Sequence, residues 1–133
     1  MKTFSLDILD ALGKTSFADL VSFVGEDGSG SFGILAGHAR FITVLVIGLS
    51  RFRTSDGHWR YIAMPGAVLR FADDVLTLST RRCLVDDDYT RISAALAEQL
   101  LAEEEKLQTM KQSLRRMEDE VLKRLWEMGR REA

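Results

Sequence analysis

The chain has 133 residues, of which 46% are hydrophobic and 29% charged, with a formal net charge of −2. That length suits one domain, or a small domain with an appendage, and the near-neutral charge gives no bulk attraction to nucleic acid. The longest apolar run, 41–49, is far too short to span a bilayer. The lone cysteine, Cys83, cannot form an internal disulfide, which fits a reducing compartment. No secretory signal is expected from the opening residues Met1–Asp7.

Residues 1–85 carry period-2 patterns broken by turns. Phe4, Leu6 and Ile8 alternate with Ser5 and Asp7, as in a half-buried strand. Val21 and Phe23 belong to a second short run. Gly25–Gly30 reads as a flexible, turn-rich loop. Further strands are predicted at Gly33–Leu35, Ile42–Ile47 and Ser50–Arg53. Thr54–Gly57 is a hairpin turn, because Asp56-Gly57 tolerates positive φ. Trp59–Met64 and Ala67–Phe71 are strands separated by Pro65-Gly66. Asp73-Asp74 turns the chain into Val75–Ser79. About ten short strands at this spacing predict an antiparallel β-sandwich or flattened barrel over residues 1–85.

The period changes near Asp86. Tyr89–Met128 contains neither Gly nor Pro and is dominated by strong helix formers. Asp86, Asp87, Asp88 and Thr90 offer capping oxygens at the start, and Gly129 a stop. Ile92, Leu96 and Leu100 form one apolar stripe; Leu107, Met110, Leu114, Met117, Val121, Leu125 and Met128 form another. Residues 86–105 hold seven acids and one base, whereas 111–133, which include Arg130 and Arg131, hold seven bases and five acids. Both a single helix and a hairpin bent near Gln108–Ser113 accommodate that asymmetry. The expected class is therefore α+β, with a β-sandwich over 1–85 and a helical hairpin or extended helix over 86–133.

Little in the chain supports catalysis. His38 and His58 are the only histidines, and neither has a nucleophile or paired carboxylate at a recognisable spacing. Two histidines and one cysteine do not make a structural zinc site. Cys83 reads as a strand-end packing residue. The segment Gly25–Gly33 lacks the Gly-Lys-Ser/Thr ending of a phosphate loop, and its acids would repel phosphate.

The segment Ser31–Thr43, reading SFGILAGHARFIT, carries more information. It resembles the signature of the epsilon subunit of F-type rotary ATP synthases, roughly F-G-I-L-P-G-H-A-P-L-x-T. Phe32, Gly33, Ile34, Leu35, Gly37, His38, Ala39 and Thr43 match, while Ala36 and Arg40 stand where the family usually has proline. Gly48–Gly57 resembles the family's G-V-L-R-I-R…D-G, and Ala63–Phe71 its A-V-S-G-G-F-L-E-V, with Pro65 and Ala67 as departures. The resemblance implies a non-catalytic central-stalk subunit, in a standard or an alternative synthase coupled to H⁺ or Na⁺. Its partners would be the γ subunit, the c-ring and the α and β catalytic subunits. It would lie peripherally on the cytoplasmic face of a bacterial inner membrane, held there only through the complex. Contact with γ and the c-ring would fall on Asp27, Ser29, Ser31, His38 and Arg40.

The resemblance also gives the tail a role: its helices would inhibit ATP hydrolysis, with Arg115, Arg116, Lys123 and Arg124 as the regulatory face. Some bacterial members bind ATP through I/L-D-x-x-R-A. Here Asp88 and Arg91 are kept, but Asp87 and Ile92 replace the flanking residues, and a further carboxylate disfavours polyphosphate. No cofactor is expected, with ATP at Asp88 and Arg91 as an alternative regulatory ligand. Two other readings are an unrelated β-sandwich adaptor with a self-associating coiled-coil tail, and a soluble nucleotide sensor.

Overall fold

A computed structural model describes residues 2–132, with side chains through residue 129. The side chains of Arg130 and Arg131 therefore lie outside the described residues. Nine strands come first: β1 Phe4–Asp10, β2 Gly13–Asp27, β3 Gly30–Ile34, β4 Phe41–Leu45, β5 Gly48–Thr54, β6 Trp59–Met64, β7 Ala67–Ala72, β8 Val75–Ser79 and β9 Leu84–Asp86. Helix α1, Tyr89–Ala95, passes into a π-helical segment, Leu96–Leu101, and then α2, Ala102–Glu132.

The strands hydrogen-bond in the order β1-β8-β7-β4-β2-β5-β6-β9; β3 pairs with β2, and β1 pairs with β2 as well. The 15-residue β2 reaches both sheets of the sandwich. Its first half pairs with β1, and its second half with β3 on one side and β5 on the other. The switch is marked by Asp19 at φ 61° and by register shifts near Leu20, the kind of bulge that lets a strand turn a sandwich corner. All pairings are antiparallel except β1 with β8.

Alternation explains the core. Phe4, Leu6 and Ile8 of β1 are buried together with Leu20 and Phe23 of β2, Phe52 of β5, Leu69 and Phe71 of β7, and Leu76 and Leu78 of β8. Fully burying side chains of this size stabilises by about 1.5–3 kcal/mol each. Gly25–Gly30 is not a loop. Gly25, Glu26 and Asp27 continue β2, and only Gly28-Ser29 turns the chain into β3. Gly25 is there because its neighbours leave no room: an added Cβ would meet Phe23 at 3.0 Å.

A second cluster joins helix to sheet. Ile92 and Leu100 are buried against Ala63, with Leu49, Tyr61, Leu84 and Leu96 packed around them. The first apolar stripe is thus an anchor on β6 and β9, and the compact unit that contains the sandwich extends to Leu101. Asp88 caps α1, its side chain accepting the Arg91 N–H at 3.0 Å.

The second unit begins at Ala102. Of the two forms the tail left open, the structure takes the single helix: no bend occurs near Gln108–Ser113, and α2 is one 31-residue helix. Nothing in 108–113 breaks a helix, and the Thr109 hydroxyl is satisfied by donating to the Glu105 carbonyl at 3.0 Å. Gly129 does not end it either: helix persists to Glu132.

Candidate docking surface

Strand β4 is the centre of the surface. On its outer face Ile42 and Val44 are 70% and 64% exposed, and the register partner of Val44 on β7, Val68, is 49% exposed. Arg70, opposite Ile42, flanks the same strip. Three β-branched or apolar side chains exposed side by side on a paired sheet resemble an interface core more than the scattered apolar residues of an ordinary surface.

Two turns border this strip. The tip between β2 and β3 is held by Asp27. Its Oδ1 accepts the Ser29 N–H at 2.9 Å and the Ser29 hydroxyl at 2.5 Å, while its Oδ2 accepts the Thr43 hydroxyl of β4 at 2.7 Å. The Ser29 and Thr43 hydroxyls, then the Ser29 amide, hold the Asp27 carboxyl below its ordinary pKa. The backbone joins there too, with Val46 N–H donating to Glu26 O at 3.1 Å.

The other turn precedes β4. His38 N–H donates to Leu35 O at 3.1 Å, and Gly37 takes φ 82°, a conformation that favours glycine. The Gly37 N–H donates to Asp74 Oδ1 at 2.7 Å, tying this turn to the β7–β8 turn. There Asp73 and Asp74 both have positive φ, as a tight hairpin turn requires. Arg40 lies 3.8 Å from Asp73 with both side chains well exposed, so the pair adds little stability. The His38 ring packs edge-on to Phe41 and Phe71. Its Nδ1 is 2.7 Å from the Ala39 carbonyl; since a carbonyl only accepts, Nδ1 carries the proton.

Asp27, His38 and Arg40 thus reach β4 or its leading turn, and Ser29 joins them through Asp27. Ser31 does not join them: it is opposite Glu26 and lines a shallow groove of about 280 Å³ with Val24, Arg51, Tyr61 and Tyr89. The sequence reading missed Ile42, Val44, Val68 and Asp74. Phe41–Leu49 is nearly all apolar, so it shows no polar face that would mark which residues point outward.

On the helical side, Arg91 is committed to acids. Its Nε and Nη2 donate to Asp86 Oδ2 and Oδ1 at 2.5 and 2.7 Å, and Asp87 lies 3.6 Å away. This two-point bond holds the Asp86 carboxyl well below, and the Arg91 guanidinium above, its usual range. Asp88 is occupied by its capping bond. Arg115, Arg116, Lys123 and Arg124 are all exposed on α2; at about 100° per residue Arg116 and Lys123 share one line along the helix, with Arg115 and Arg124 to either side of it on the same half. Among the described residues no cluster of side chains suited to hold a metal occurs, and no helix is long and apolar enough to cross a membrane.

The chain is thus an α+β protein, a β-sandwich with an apolar strip bordered by two pinned turns, followed by an amphipathic helix. The model of the ATP synthase delta/epsilon chain β-sandwich domain matches residues 3–85. ATP synthase epsilon chain 2 of Cereibacter sphaeroides is 38% identical over 81 residues, 60% of this chain and 56% of that one. The ATP synthase epsilon chain of a Psychrobacter species is 32% identical over 114 residues, 82% of this chain and 83% of that one. Similar folds occur in the Euglena gracilis mitochondrial ATP synthase (TM-score 0.56, 18% identity, 70% of this chain and 61% of that one). They occur also in the central stalk/c-ring structure of Tetrahymena thermophila mitochondrial ATP synthase (TM-score 0.53, 12% identity, 62% and 66% of the chains). The chain belongs to the epsilon-subunit family of F-type ATP synthases.

Proposed function

We propose that this subunit ties rotor parts of an ATP synthase together through the β4–β7 strip, with γ on the strip and the c-ring at the tip formed by Asp27 and Ser29. The carrying observation is the exposed Ile42–Val44–Val68 strip, bordered by turns whose bonds are already made. Pre-set turns lower the ordering cost of association. Ser31 stands apart from these contacts and makes a peripheral one. In this reading the subunit is non-catalytic, works at the cytoplasmic face of a bacterial inner membrane, and supports ATP synthesis coupled to H⁺ or Na⁺ flow. α2, with Arg115, Arg116, Lys123 and Arg124, restrains hydrolysis by engaging the α and β subunits. The subunit needs no cofactor, and the engagement of Arg91 with Asp86 argues against ATP as its ligand.

The test is co-purification from gently solubilised membranes of cells carrying the tagged chain. The unaltered chain is expected to recover α, β, γ and c subunits. Ile42→Glu with Val68→Glu should lower γ and c recovery at least tenfold, because central apolar contacts carry about 1–4 kcal/mol each. The melting curve should be little changed, since both side chains are exposed. Undiminished recovery would rule the strip out as the contact.

A further inference from the structure

Arg70 differs from the other arginines on the strands. Arg51 and Arg53 lie over the Trp59 ring, and Arg60 over that of Phe17. Arg70 is exposed on β7, and among the described residues none holds it by a hydrogen bond, an ion pair or a ring contact. The acids nearby are taken. Across the outer face Arg70 is opposite Thr77 of β8, and Thr77 is opposite Asp7 of β1. Asp7, however, accepts the Ser16 hydroxyl at 2.8 Å and lies 3.7 Å from Lys14. Asp74 accepts the Gly37 N–H at 2.7 Å. What borders Arg70 on the strip is apolar: Ile42 opposite it, and the Val44–Val68 pair next along the same face.

We infer that the γ segment seated on the β4–β7 strip presents a carboxylate to Arg70, flanked by apolar side chains. This rests on the strip being the γ contact. Covering the strip shuts water away from a charge that has no partner in its own chain. A buried, unpaired guanidinium is strongly unfavourable. A purely apolar segment is therefore rejected, whereas a carboxylate meets the planar fork with two parallel bonds. Ile42, Val44 and Val68 supply contact area, and Arg70 supplies selection. The sign of the charge matters. In A-V-S-G-G-F-L-E-V, which Ala63–Phe71 resembles, glutamate occupies the place of Arg70. A γ segment matched to that glutamate offers no carboxylate here, so Arg70 makes this chain selective for its own γ.

The test is co-purification of γ from gently solubilised membranes with tagged chains altered only at position 70. Arg70→Glu should lower γ recovery at least about tenfold, and Arg70→Met should do the same, because the γ carboxylate is then left unpaired. Arg70→Lys should retain most of the recovery. Melting curves should stay unchanged, since the side chain is exposed. In the assembled complex, the Arg70→Lys chain treated with a water-soluble carbodiimide should form an amide between position 70 and an Asp or Glu of γ, located by peptide mapping. Full γ recovery with Arg70→Glu overturns the inference, as does the lack of a cross-link at position 70 in a complex that contains γ. If Ile42→Glu with Val68→Glu abolishes recovery while Arg70→Glu does not, the strip remains the contact and only the carboxylate is refuted. If neither change lowers recovery, both readings fall.

Discussion

A Cβ added at Gly25 would lie 3.0 Å from the Phe23 ring and 3.3 Å from both Leu45 and Phe32. Phe23 is fully buried and cannot move aside without disturbing its neighbours. Gly25→Ala is expected to cost about 1–3 kcal/mol through overpacking, measured as a lower midpoint in urea with unchanged slope. Cys83 makes a different kind of prediction. Burial, then the Asp10 carboxylate that accepts its S–H at 3.3 Å, pushes the thiol pKa up to about 11. A group whose folded pKa is raised contributes stability that is fully present below its unfolded value, about 8.5. That contribution is lost as pH rises through about 11. Alkylation by iodoacetamide should therefore stay slow at pH 9 in the folded chain, rise toward pH 11, and be fast at pH 9 once the chain is unfolded in urea. Equal rates for folded and unfolded chain at pH 9 would contradict the burial argument.

At the scale of elements, α1 depends on one side chain more than on its length. The seven residues of α1 run on into the π-helical segment, and a few buried side chains hold them to the sandwich. Ile92, 1% exposed against Ala63, fixes α1 to β6. Ile92→Ala should cost about 2–5 kcal/mol and open residues 89–101 to limited proteolysis before the strands. This stripe was legible because Ile92, Leu96 and Leu100 repeat at the helical period. Strands β6 and β7 were legible as well, since turn residues mark both their ends, and β8 by the Asp73-Asp74 turn before it. The β2–β3 hairpin was not. Three glycines within Gly25–Gly30 read locally as a loop, whereas Gly25 is glycine for want of space in the core. β9 was missed because three residues, Leu84–Asp86, are too short to show any period. The choice between hairpin and single helix in the tail could not be made from charge, which both forms satisfy; in the structure α2 runs unbroken through 108–113.

For the molecule as a whole, the sandwich was legible and the surface only partly so. The signature around His38 forms the turn that leads into β4, where Gly37 takes φ 82°. The apolar strip beside it could not be read, since its outward residues have the same chemistry as the core residues they alternate with. Pairing order has a further consequence. Among the described strands β1 comes first, yet one of its edges is filled by β8, Val75–Ser79, in a parallel pairing. A chain emerging from the ribosome can form the β1–β2 hairpin early, but that edge stays open until most of the sandwich has been translated. Ring closure is then a late, long-range event, slow because a large loop must be ordered first. A nascent chain stalled before Val75 would offer β1 to any other strand, so for this subunit the rhythm of synthesis bears on aggregation as much as final stability does.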